Sequence, residues 1–137
     1  MKGEIRDLLA GQYNHEDCAL HIYQIGKDVT VAMADLDVGI FYDWKLINSQ
    51  YPLVRIGDPF NEPTDKNAVV SGPEIRGLKN GRYKARQCSL HITQRDCGVR
   101  LEFYDRGHDF GWAWYVNERR EVPHFYVGSL EELAEIE

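Results

Sequence analysis

Apolar and polar residues alternate with period two over four stretches of the chain, of which three return seventy positions later and the fourth, after one extra residue, seventy-one. In the first, Cys18, Leu20 and Ile22 alternate with Ala19, His21 and Tyr23; Cys88, Leu90 and Ile92 later alternate with Ser89, His91 and Thr93. This is the pattern of a strand with one buried face. A second strand follows a tight turn at residues 26–28 or 96–98, with Val29, Val31 and Met33, or Val99, Leu101 and Phe103, directed inward. The pair reads as a β-hairpin. A third strand carries Ile40, Tyr42 and Trp44, or Phe110, Trp112 and Trp114, and a fourth carries Val54 and Ile56, or Phe125 and Val127.

The recurrence is an internal duplication. From residues 4–44 against 74–114, 14 of 41 positions are identical without a gap, from EIRDL over EIRGL to Trp44 over Trp114. Repeat 1 spans residues 3–57 and repeat 2 residues 73–128, joined by a Pro-, Asn- and Asp-rich connection at 58–72. Each repeat opens on Ile5, Leu8 and Leu9, or Ile75 and Leu78, at helical spacing, with Gly11 or Gly81 placed to end a helix. Ser71 and Glu74 have capping-box spacing around Pro73, and Ser129 and Glu132 have it again at the head of a closing helix, 129–137. The expected fold class is therefore α+β, mostly antiparallel β. Two tandem helix-plus-four-strand units related by a pseudo-twofold axis form a single compact domain, either as two facing sheets or as one continuous sheet.

Composition narrows the class further. The chain has 137 residues, 43% hydrophobic and 12% aromatic, which suits a packed core. No apolar run reaches the roughly 20 residues of a bilayer crossing, and the charged start MKGEIRD does not resemble a signal peptide. Three cysteines without a CxxC pair point to a reducing compartment, so a cytoplasmic protein is expected. The net charge of −6 is unevenly spread: residues 1–72 carry −5, residues 73–128 carry +3 and residues 129–137 carry −4. An acidic whole argues against direct nucleic-acid binding.

The candidate chemistry is sparse. His21 and His91 recur in both repeats, but Cys18 and His21, three apart on a strand, leave opposite faces and do not share a metal. A joint site at the pseudo-twofold axis would use His21, His91, Asp35 and Asp105. The two aspartates have a simpler role as well, each accepting a hydrogen bond from the backbone two residues on. Cys18 and Cys88 fit as buried small hydrophobes, and Cys97 and His108 have no counterpart in the other repeat. No P-loop, GxGxxG, HExxH or GxSxG motif is present, and no cofactor is implied. The expectation is a non-enzymatic, protein-binding protein, most concretely an inhibitor that covers a basic surface of a toxin or defence nuclease. Its contacts would come from Asp35, Asp37, Asp43, Tyr23, Tyr104, Glu131, Glu132 and Glu135. The alternative is a ligand- or metal-binding domain or enzyme built on His21 and His91, and a homodimer pairing through a free sheet edge is the third reading.

Overall fold

The structure, a computed structural model, describes residues 3–13, 18–35, 39–57, 69–95, 98–107, 109–117 and 124–128. Eleven strands run in sequence order: β1 (Leu9–Tyr13), β2 (Cys18–Ile25), β3 (Asp28–Asp35), β4 (Ile40–Ile47), β5 (Tyr51–Gly57), β6 (Val69–Glu74), β7 (Gly81–Ala85), β8 (Cys88–Arg95), β9 (Gly98–Asp105), β10 (Phe110–Asn117) and β11 (His124–Gly128). They form two antiparallel sheets, ordered β5-β4-β3-β2-β1-β6 and β11-β10-β9-β8-β7.

The two sheets repeat each other in register. Cys18 pairs with Asp35 and Ile22 with Val31 in the first; Cys88 pairs with Asp105 and Ile92 with Leu101 in the second. Alternation along these strands turns one face of each sheet toward the other. Leu20, Ile22, Val31, Trp44 and Leu46 join Leu90, Ile92, Leu101, Phe103, Trp112 and Trp114 in one buried cluster. The rings meet across the layers, Tyr42 lying 4.2 Å from Phe103 and tilted, and Trp44 lying 5.9 Å from it edge-on. Of the two arrangements open from the sequence, the facing sheets are the one adopted.

The helical part of the expectation is overturned: among the described residues there is no helix, and the fold is all-β. Residues 4–8 and 74–78 instead cross each other at the pseudo-twofold axis and exchange hydrogen bonds. The Ile5 amide donates to the Leu78 carbonyl at 2.7 Å, and the Ile75 amide donates to the Leu8 carbonyl at 2.8 Å. Glu4, which helical spacing would place in a first turn, accepts from the Gly77 amide at 2.6 Å, and Glu74 accepts from the Asp7 amide at 3.2 Å. Gln24 and Gln94 complete the clasp by accepting from the Arg76 and Arg6 amides at 2.9 and 2.6 Å.

The physical reason lies at the fourth residue of EIRDL and EIRGL. Asp7 and Gly77 take φ of 63° and 81°, a left-handed step that no helix continues through. That kink lets both apolar residues of each segment, Ile5 and Leu8 or Ile75 and Leu78, enter the core. Spacing of three fits a helix and fits this kinked turn equally well, so periodicity alone does not separate them.

Three further strands replace expected helix and linker. Leu9 and Gly11 belong to β1 and Gly81 opens β7, rather than ending helices. Ser71, Pro73 and Glu74 form no cap; they lie in β6, an edge strand where a missing proline N–H is tolerated. Residues 58–68, and the expected closing helix at 129–137, lie outside the described residues. Among those described, no helix is long and apolar enough to cross a membrane.

Candidate functional site on the outer face of the first sheet

In a two-layer fold the inward faces make the core, so the outward faces are where the repeats are free to differ. Register places the outward residues of the first sheet in rows. Tyr23 pairs with Thr30, Thr30 with Lys45 and Lys45 with Leu53. In the next row toward the turns, Ile25 pairs with Asp28 on one side and Ile47 with Tyr51 on the other. The four large hydrophobic residues that stand out of the described surface all sit in these two rows: Tyr23 is 45% exposed, Ile25 74%, Tyr51 62% and Leu53 59%.

A pocket of about 490 Å³ adjoins this face between β6, β1 and β2. It is lined by Ala10, Gly11, Gln12, His21, Tyr23 and Gly72. A Cβ added at Gly72 would stand 3.5 Å from the Ala10 carbonyl oxygen, an ordinary contact. His21 sits on the pocket wall with Nε2 buried and without a hydrogen-bond partner, and burial pulls its pKa below the ordinary 6.5. Burial thus favours the neutral imidazole and leaves one of its ring nitrogens unsatisfied beside the pocket.

The outward face of the second sheet is of another kind. Where the first has Thr30, Ala32 and Ala34, the second has Arg100, Glu102 and Tyr104. Glu102 is buried, held by the Arg100 guanidinium at 3.1 Å and by the Tyr104 hydroxyl, which donates to its other oxygen. His91 packs on the Tyr104 ring with centroids 5.0 Å apart. Thr93 and Arg95 stand where the first sheet has Tyr23 and Ile25. One scaffold thus bears an apolar outer face on one side and a bonded polar face on the other.

The residues singled out from the sequence separate on this frame. His21 and His91 leave the outward faces of different sheets, with the shared core between them, so the structure does not bring them to one site. Asp35 and Asp105 point the other way, inward with Met33 and Phe103, and are buried at 4% and 0% exposure. Asp35 is accordingly out of a partner's reach. Asp105 plays the turn role, accepting from the Gly107 amide at 3.0 Å, and it also accepts from the Tyr42 hydroxyl of the other repeat at 2.6 Å. Among the described residues no group of three His, Cys, Asp or Glu side chains is placed to hold a metal ion.

Asp43 lies on the first outer face in an exposed pair with Arg55 at 3.2 Å. Tyr23 is exposed there, whereas Tyr104 is engaged with Glu102 and His91. Asp37, Glu131, Glu132 and Glu135, with Cys97 and His108, lie outside the described residues. Cys18 and Cys88 are in no disulfide and are buried in the core, as their parity implies.

Sequence reasoning passed over Ile25, Tyr51 and Leu53. The signal was present, since YPLVRIG alternates and its outward set includes Tyr51 and Leu53. Comparison of the chain with protein-family models, with curated proteins and with solved structures finds no match.

Proposed function

We propose that this is a protein-binding protein whose contact surface is the outer face of the first sheet. The observation that carries the reading is the placement of Tyr23, Ile25, Tyr51 and Leu53, each about half exposed or more, in two adjacent rows of one sheet face. Large apolar side chains this exposed, on β2 and β5 of one face with Thr30, Asp28 and Lys45 between them, are a surface that a partner can cover. Tyrosine at such positions supplies large contact area at low entropic cost. The pocket beside Tyr23 has room for one anchoring side chain of the partner.

The form in which acidic residues cover a basic target receives less support than the apolar face. Asp35 is buried and Asp43 is already paired with Arg55. Inhibition of a toxin or nuclease remains the concrete activity proposed for the interaction, with occlusion by the apolar face as its mechanism.

The repeats supply the test. Tyr23→Thr with Ile25→Arg places on the first sheet what the second already carries at those positions, so the fold accommodates the change. Tagged wild type and variant are used to capture partners from the native host at low and high salt. The reading expects a stoichiometric partner that survives high salt and is lost with the variant. A partner retained equally by the variant overturns it, and one lost at high salt but kept by the variant restores the charge-led mechanism.

A further inference from the structure

A second cavity, of about 360 Å³, lies where the β4–β5 turn meets β7 of the other sheet. Its walls are Ser49, Gln50 and Pro52 from the turn, and Lys79, Arg82 and Lys84 from β7 and the residues before it. Tyr83 lies between them, its hydroxyl donating to the Lys79 carbonyl at 2.6 Å. Arg82 and Lys84 are two apart on a strand, so their side chains leave the same face about 7 Å from each other. Among the described residues none of the three cations makes an ion pair or a side-chain hydrogen bond. This is an accumulation of like charge, with Glu4 in a backbone bridge to Lys79 and its carboxylate taken up by the Gly77 amide, in a chain whose net charge is −6.

The duplication shows that the fold does not require it. At the corresponding places repeat 1 has Leu9, Gln12 and Asn14, while the intervening glycine and tyrosine are the same in both repeats. Three substitutions toward positive charge around one groove, on an otherwise retained framework, call for an anion. The groove is of small-molecule size, and three cations along its lining favour a ligand with at least two negative charges in little volume. Phosphate meets that demand better than a single carboxylate, and it suits both the arginine fork and the compact ammonium charges. The acidity of the whole chain opposes a long polyanion, which would extend past the groove.

We propose that the groove between the β4–β5 turn and β7 binds a small ligand carrying two or more phosphate charges, held by Lys79, Arg82 and Lys84. Ser49 and Gln50 close the far wall, and the site is separate from the apolar face of the first sheet.

The experiment uses the full chain and inorganic pyrophosphate, followed by isothermal titration calorimetry at low salt and by amide NMR. One-to-one saturable binding is expected, with shifts concentrated at Ser49, Gln50, Lys79 and residues 82–84. The triple variant Lys79→Leu, Arg82→Gln, Lys84→Asn carries the residues of repeat 1 and should lose at least tenfold in affinity. A control with the same loss of charge elsewhere, Arg6→Gln, Lys45→Gln, Arg55→Gln, should bind within about twofold of wild type. Absence of saturable binding, shifts centred elsewhere, or equal loss in the control overturns the proposal. The NMR map is made on the wild type and does not depend on the variants folding. A twelve-nucleotide single strand is titrated in parallel; binding through the same residues but tighter than pyrophosphate by more than tenfold overturns the small ligand in favour of nucleic acid.

Discussion

Cys88 illustrates how a single position is set by its surroundings. It pairs across strands with Asp105 and is 2% exposed. Burial pushes its thiol up to about 12, the Asp105 carboxylate adding to the shift and Arg86 opposing it. The sign of the consequence follows from linkage. The unfolded chain releases this proton near pH 9 and the folded one does not, so the stability it contributes is complete below pH 9 and is lost as pH rises from 9 toward 12. Cys88 should therefore resist alkylation at pH 8 in the native protein. Urea unfolding from pH 8.5 to 11 should show a fall in stability that is shallower in Cys88→Ala. An alkylation rate equal to that of an unfolded control would refute this placement.

Among the elements, the crossed segments 4–8 and 74–78 are the least ordinary, since they are mostly outside regular secondary structure and yet send Ile5, Leu8, Ile75 and Leu78 into the core. They are held by bonds that run from each repeat to the other, so neither segment is formed until both repeats are in place. The amides of Ile5 and Ile75 should then exchange with solvent only through global unfolding, at the rate of the core amides of β2 and β8. The turn itself depends on its left-handed residue. Gly77→Ala should cost about 1 kcal/mol of stability from backbone strain, because an added Cβ meets nothing nearer than the Ser49 hydroxyl at 3.8 Å. Asp7→Gly, by the same argument, should be neutral or stabilising by a few tenths of a kcal/mol, as aspartate tolerates this conformation imperfectly. Chemical unfolding of the two variants checks both, and a loss at Asp7→Gly would refute the argument.

At the scale of the whole molecule, the identities between the repeats have a common explanation. In a pseudo-twofold arrangement each repeat meets the other through the same residues, as in an isologous dimer. Glu4 and Glu74, Ile5 and Ile75, Leu8 and Leu78, and Gln24 and Gln94 are identical because each serves that shared contact. The outward faces carry no such constraint, and there the exposed apolar residues stand on repeat 1 and the cations of the groove on repeat 2. Tyr42 and Trp112 show a divergence inside the core, where the phenol reaches Asp105 across the layers. Tyr42→Phe removes the donor from a buried carboxylate oxygen and should lower stability by about 1–3 kcal/mol in chemical unfolding. A loss under half a kcal/mol would mean that the bond does little to join the sheets.

Much of this architecture was legible before any coordinates. Period-two alternation marked β2–β5 and β8–β11, with the inward residues of β2–β5, β8 and β9 and Trp112 and Trp114 of β10, and the self-comparison supplied the repeat and its axis, because both depend on residues near in sequence or on simple identity. The buried cysteines, the tryptophans of the core and the turn bond of Asp105 were also within reach of local reasoning. The segments 4–8 and 74–78 were not. Their spacing suits a helix or a kinked turn, and the choice was made by hydrogen bonds to a segment seventy residues away, which outweigh local propensity. The same holds for β1, β6 and β7, whose pairing depends on distant partners. The candidate surfaces divide in the same way: the outward alternation of Tyr51 and Leu53 is written in YPLVRIG, but that they join Tyr23 and Ile25 on one face follows from strand order. That Ser49 and Gln50 face Lys79, Arg82 and Lys84 follows from the packing of one sheet's edge against the other's, a relation with no trace in sequence spacing.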